Sequence, residues 1–93
     1  MIPLTIKQIA EIVGGKTYGD ASQVITSAPV FDSRLAIKGS LFLALIGEKS
    51  DGHDFTEDAS SHGAAGFMTT REVQGNGIVV DDVLVAVQGA RHP

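Results

Sequence analysis

Leu41-Phe42-Leu43-Ala44-Leu45-Ile46 is the longest uninterrupted apolar run in the chain. It is far shorter than the roughly 20 residues that cross a bilayer as a helix. A strand with one wet face alternates apolar and polar residues, and this run does not. It therefore predicts a strand over 41–46 that is buried on both faces, inside a sheet covered from two sides. Lys38-Gly39-Ser40 leads into it as a turn, and the polar stretch 47–52 leads out.

Downstream, Asp54 reads as an N-cap with Glu57 reaching back, and Phe55, Ala59 and His62 share one helical face. Gly63 ends that helix. Residues 64–69 and 77–80 read as two more strands. Upstream, Ile6, Ile9, Ala10 and Val13 recur at helical spacing. Thr5 and Gln8 stand in capping-box positions, and Gly14-Gly15 stops the helix. Residues 16–18 and 23–26 are short strand candidates around the turn 19–22. Residues 28–31 are another, with Pro29 placing it at an edge or a strand start. Segment 82–90 reads both ways: β-branched residues favour a strand, and Asp81 or Asp82 as a cap favours a helix. Strands alternating with helices predict an α/β fold: one small domain, a mixed sheet flanked by helices, with at least one parallel crossover.

With 93 residues, one domain is the natural count. An apolar share of 43% is that of a globular chain and not of a disordered tail. The absence of cysteine excludes a disulfide framework and fits a reducing compartment. A net charge of −4 with scattered Lys and Arg argues against a nucleic-acid partner. No signal-peptide layout opens the chain. The expectation is a soluble, cytoplasmic protein with neither a nucleic-acid nor a membrane partner.

Two polar clusters interrupt the apolar pattern. Asp32-Ser33-Arg34 follows the strand candidate at 28–31, and Gly47-Glu48-Lys49-Ser50-Asp51-Gly52-His53-Asp54 follows the apolar run. In α/β sheets ligands gather beyond the carboxyl ends of strands. A hydroxyl, two cations and glycine-flanked backbone amides suit a diphosphate or another anion. Plainer roles stand beside these: Asp32 and Arg34 can pair with each other, Ser33 can hold a turn, and Lys49 can be a solvated charge. His53 between Asp51 and Asp54 has metal-ligand spacing, and the same three residues allow a small hydrolase. Against both, Asp54 is wanted as a cap. The phosphate-loop signature G-x-x-x-x-G-K-[ST] is absent.

Taken in order, Phe31-Asp32-Ser33-Arg34, Gly39-Ser40-Leu41-Phe42-Leu43-Ala44-Leu45-Ile46-Gly47, Asp51-Gly52-His53-Asp54-Phe55 and Gly63-Ala64-Ala65-Gly66 resemble the amino-terminal domain of the Mur ligases. The opening, from Leu4 to Gly15, looks most like the member that adds D-alanyl-D-alanine; the member that adds the third peptide residue is the alternative. A stand-alone binding module with the same fold is a further one. The resemblance implies a cytoplasmic ATP-dependent amide-bond ligase of peptidoglycan synthesis, whose amino-terminal domain holds the UDP end of UDP-N-acetylmuramoyl-tripeptide. It implies that ATP and Mg²⁺, and D-alanyl-D-alanine, are bound by other domains of the parent enzyme, with no cofactor, metal or catalytic residue in this one. By matching positions, Phe31 and Ser33 lie at the uridine, with Arg34 beside them, and Glu48, Lys49 and Ser50 form a loop at the ribose and diphosphate. Residues 1–93 are then one substrate-binding domain, with 82–93 the start of the connection to the ATP domain. Such a chain is expected to bind the UDP end and, alone, to perform no ligation.

Overall fold

A helix begins where a side chain can satisfy its first amides, and Thr5 does so here. In this computed structural model, which describes residues 3–89, helix α1 spans Ile6–Val13. Thr5 Oγ1 accepts the Gln8 amide at 3.1 Å, and Gln8 Oε1 accepts the Thr5 amide at 2.8 Å. Gly14 ends the helix at φ 71°, a left-handed conformation that costs glycine little. Removing the cap by Thr5→Ala should destabilise the protein by about 1 kcal/mol, read from urea midpoints.

Strands β1 (Leu4–Thr5) and β3 (Val24–Ile25) form a small antiparallel pair beside the main sheet. The main sheet contains β2 (Lys16–Tyr18), β4 (Leu41–Leu43), β5 (Gly66–Thr69) and β6 (Gly77–Val79), in the order β2-β6-β5-β4. β4, β5 and β6 are parallel, and β2 is antiparallel to β6. Helix α2 (Thr56–Ser61) lies in the crossover from β4 to β5. The link from β5 to β6, residues 70–76, contains no helix. Strands of three or four residues are only about 10–13 Å long, so a short loop suffices to return the chain.

Side chains of β4 point alternately to two cores. Leu41 and Leu43, with Met68 and Ile78, pack against Ile6, Ile9 and Ala10 of α1, Ile25 of β3, and Val83. Phe42 and Ala44, with Phe67, pack against Ala59 of α2 and Ala36. Phe42 meets Phe67 edge-to-face, with ring centroids 6.4 Å apart. Burial on both faces therefore holds for residues 41–44.

The strand is shorter than its apolar run. The Ala44 amide still bonds to Met68 at 2.9 Å, but Leu45 is half-buried and Ile46 is 63% exposed. Here the chain leaves the sheet in a hairpin: Ile46 bridges Asp51, and the Gly52 amide donates to Leu45 O at 2.7 Å. A Cβ on Gly52 would lie 2.7 Å from Leu45 N, so the hairpin closes only around a glycine.

Two other expectations are corrected, and one alternative left open is decided. Residues 28–31 form no strand; Val30 alone bridges Phe42, bonding to Leu41 O and Leu43 N. Pro29 has no amide with which to extend the ladder. The second helical segment is capped by Asp51, not Asp54. Asp51 Oδ1 accepts the His53 amide at 2.9 Å, a 3-10 turn over Gly52–Phe55 follows, and α2 continues without a side-chain cap of its own. Of the face expected there, Ala59 is buried while Phe55 and His62 are exposed. Last, Val83–Gly89 is helix α3: Asp82 Oδ1 accepts the Val85 amide at 3.1 Å, and Val83 is buried, which together override the strand preference of its valines. Ala90 lies outside the described residues.

Candidate functional site

Beyond the carboxyl end of β4 the two polar clusters do converge. Between the turn after Val30 and the 46–51 hairpin lies a cleft of ≈ 930 Å³. Phe31, Ser33, Arg34 and Ser50 line it, as do Phe55 and Asp58 from the facing segment, with Phe42 and Leu45 below. A cleft of this size suits a small-molecule ligand. Phe31 is 70% exposed, and Phe55 is also exposed, so two aromatic side chains border the same space.

The 3-10 turn Ser33–Leu35 positions the first cluster. Asp32 caps it by accepting the Arg34 amide at 3.0 Å, which turns Ser33 inward, where it is buried. Ser33 Oγ donates to Asp58 Oδ2 at 2.7 Å. Arg34 is folded back on Asp32 through two bonds, Nε to Oδ1 at 3.1 Å and Nη2 to Oδ2 at 2.8 Å. Its charge is thus largely matched before any ligand arrives. Glu48 and Lys49 sit exposed at the hairpin tip, where the Gly47 amide donates to Ser50 O at 2.8 Å. They flank the cleft without lining it.

Hydrogen bonds from the Arg34 side chain, and then its backbone amide, hold the Asp32 carboxyl at about 2, against an ordinary 3.8. The same pairing raises the Arg34 guanidinium. A carboxyl whose pKa is lowered by folding stabilises the fold above its unfolded value and loses that contribution as pH falls through the folded one. Stability should therefore decline between about pH 4 and pH 2. Asp32→Asn should remove its share of that decline, measured as urea midpoints across the range. Asp51 titrates in the same direction, lowered first by the His53 amide and then by the ring, so some decline persists in the variant.

His53 has a structural position. Its buried ring donates from Nδ1 to Asp51 Oδ1 at 2.6 Å, and Nε2 accepts the Thr70 amide at 3.0 Å. Both nitrogens are committed, and they join the cap of the second helical segment to the end of β5. Asp54 is exposed and takes no part. Among the described residues no three His, Cys, Asp or Glu side chains are grouped to hold a metal ion.

A second cavity, of ≈ 460 Å³, is lined by Gly14, Gly15, Lys16, Asp81 and Asp82 among others. Gly15-Lys16-Thr17 is superficially like the end of a phosphate loop. Here it runs from a helix into a strand, the reverse of the strand–loop–helix order that presents amides to phosphate. Among the described residues no helix is long and apolar enough to cross a membrane.

Sequence reasoning missed Phe55 and Asp58 as cleft residues. Phe55 reads as part of a helical face with Ala59 and His62, and Asp58 as one more solvated carboxylate in a helix. Only the fold brings Asp58 beside Ser33, 25 residues earlier.

Residues 30–92 match the family described as Mur ligase family, catalytic domain. The chain is 44% identical over 88 residues to the UDP-N-acetylmuramoyl-tripeptide–D-alanyl-D-alanine ligase of Mycobacterium tuberculosis, covering 89% of this chain and 17% of that protein. It is 36% identical over 94 residues to the Bacillus subtilis ligase of the same name, covering 95% of this chain and 21% of that protein. Among solved structures, MurF from Acinetobacter baumannii superposes with a TM-score of 0.82 at 27% identity, over 94% of this chain and 20% of that one. MurF ligase from Thermotoga maritima in complex with ADP gives 0.65 at 26% identity, over 71% and 16%. The chain spans about a fifth of the length of the relatives it matches.

Proposed function

Because the chain belongs to the Mur ligase family, we propose that it is the amino-terminal domain that holds the UDP end of a UDP-N-acetylmuramoyl-tripeptide, for a ligase that adds D-alanyl-D-alanine in cytoplasmic peptidoglycan synthesis. The similarity to D-alanyl-D-alanine-adding ligases supports this choice over the member adding the third peptide residue. The cleft beyond β4 carries the reading. It joins two aromatic walls, a buried hydroxyl and a hairpin with a cation at its tip.

Phe31 and Phe55 offer faces on which a pyrimidine can stack, a contact worth about 1–3 kcal/mol per base. The hairpin Gly47–Ser50 is the better end for the diphosphate. Lys49 is exposed there, and among the described residues it makes no ion pair. The Ser33 end carries the Asp58 carboxylate, which repels phosphate. Arg34, already paired with Asp32, contributes less to anion binding than its charge suggests, and Glu48 contributes through its backbone at most. ATP and Mg²⁺ belong to the remaining length of the parent enzyme, since these 93 residues contain no G-x-x-x-x-G-K-[ST] loop. The domain then supplies binding energy that places a distant carboxylate for activation.

The test is calorimetric titration of the purified chain with UDP. Saturable binding is expected, weakened about ten-fold or more by Phe31→Ala if the ring carries a stacked base. Equal affinity in both proteins would remove Phe31 from the site.

A further inference from the structure

We propose that Asp58 is a positioning residue that locks the Ser33 hydroxyl as a hydrogen-bond acceptor, so that the cleft selects a nucleobase presenting an N–H donor at this point and disfavours one presenting a lone pair. The inference rests on the UDP reading above and extends it to a residue outside the family motif.

The chemistry is a count of hydrogens. A serine hydroxyl has one hydrogen to donate and two lone pairs to accept with. A carboxylate only accepts, so the 2.7 Å contact between Ser33 Oγ and Asp58 Oδ2 fixes the hydrogen on the Asp58 side. Among the described residues no donor is directed at Ser33 Oγ. What Ser33 presents to the cleft is therefore a lone pair. Ser33 is buried on its 3-10 turn, and Asp58 stands in the first turn of α2, where the helix dipole favours a carboxylate that accepts.

The consequence is directional. A phosphate oxygen offers only lone pairs and is repelled both by this acceptor and by the charge behind it. The imide N3–H of uracil is a donor and fits. The corresponding N3 of cytosine is an acceptor and does not. Phe31 and Phe55 line the same cleft and supply the stacking surface that brings a base edge to this depth. Without Asp58 the hydroxyl rotates freely, donates or accepts as the ligand requires, and the discrimination fades.

The experiment measures UDP and CDP affinities for the wild-type chain, Asp58→Ala, Ser33→Ala and the double variant, with thermal melts to show that each is folded. The wild type should prefer UDP by roughly ten-fold, the scale of one hydrogen bond gained or opposed. Asp58→Ala should bring the ratio close to one, chiefly through a gain in CDP affinity. Adding Asp58→Ala to Ser33→Ala should leave the ratio unchanged, because the carboxylate acts only through the hydroxyl. A purely structural role would lower both affinities together. An undiminished UDP preference in Asp58→Ala, with UDP still bound by the wild type, would overturn this assignment and leave the UDP reading standing. A wild type that binds neither nucleotide would overturn the UDP reading itself, and this assignment with it.

Discussion

Phe42→Ala should lower the unfolding free energy by about 3–5 kcal/mol, the usual cost of removing a buried aromatic ring. Phe42 is 1% exposed, and its ring stands against Phe67 in the next strand. It belongs to the smaller of the two cores, between the sheet, Ala36 and Ala59. Two of its neighbours there are alanines, whose short side chains leave nothing to move into the space a missing ring would open. A domain of this size has only about 5–15 kcal/mol of stability, so the loss is a large fraction of it. The same ring underlies the cleft, and ligand affinity should fall with stability. Denaturant titration checks the value; a change below about 1 kcal/mol would mean that the ring is not core.

His53→Ala should cost about 2–4 kcal/mol, from a buried amide left unsatisfied and a cavity opened beneath it. Among the described residues the ring is the one hydrogen-bond partner of the Thr70 amide, and it takes one oxygen of Asp51. Without it, the cap of the second helical segment is no longer joined to the end of β5. A hydrolytic role for Asp51, His53 and Asp54 predicts instead a variant of normal stability. Urea denaturation separates the two, since a stable His53→Ala would contradict the structural role.

Those two residues also show what was legible in the sequence. Phe42 lies in a continuous apolar run between turn signals, and continuity alone predicts two covered faces. The α1 boundaries were legible for a related reason: Thr5, Gln8 and Gly14 act on their own neighbours, so local chemistry suffices. His53 was not legible. Its partner Thr70 is 17 residues away, and no local pattern signals that a ring nitrogen will meet that amide. Asp51 took the cap from Asp54 because it serves the His53 amide and ring together, a gain that exists only once the ring is buried. In the site, Phe31, Ser33, Arg34 and Ser50 were legible as residues that converge. Asp58 was not, and it already takes the one hydrogen of the Ser33 hydroxyl that the sequence counted toward an anion site. Ile46 erred oppositely: its hydropathy continues the run, but the backbone has already turned away in the hairpin, and it stands exposed.

The proposed function requires the cleft beyond β4 to hold the UDP end of a nucleotide-linked substrate. The most direct measurement follows the backbone amide signals of the isotope-labelled chain by nuclear magnetic resonance as UDP is added. Saturable shifts are expected at Phe31, Ser33 and Arg34, along the hairpin 47–52, and at Phe55 and Asp58. No shift is expected around Gly14, Gly15 and Lys16 at the second cavity. Saturable shifts confined to that second cavity, or no saturable shift anywhere, would contradict it.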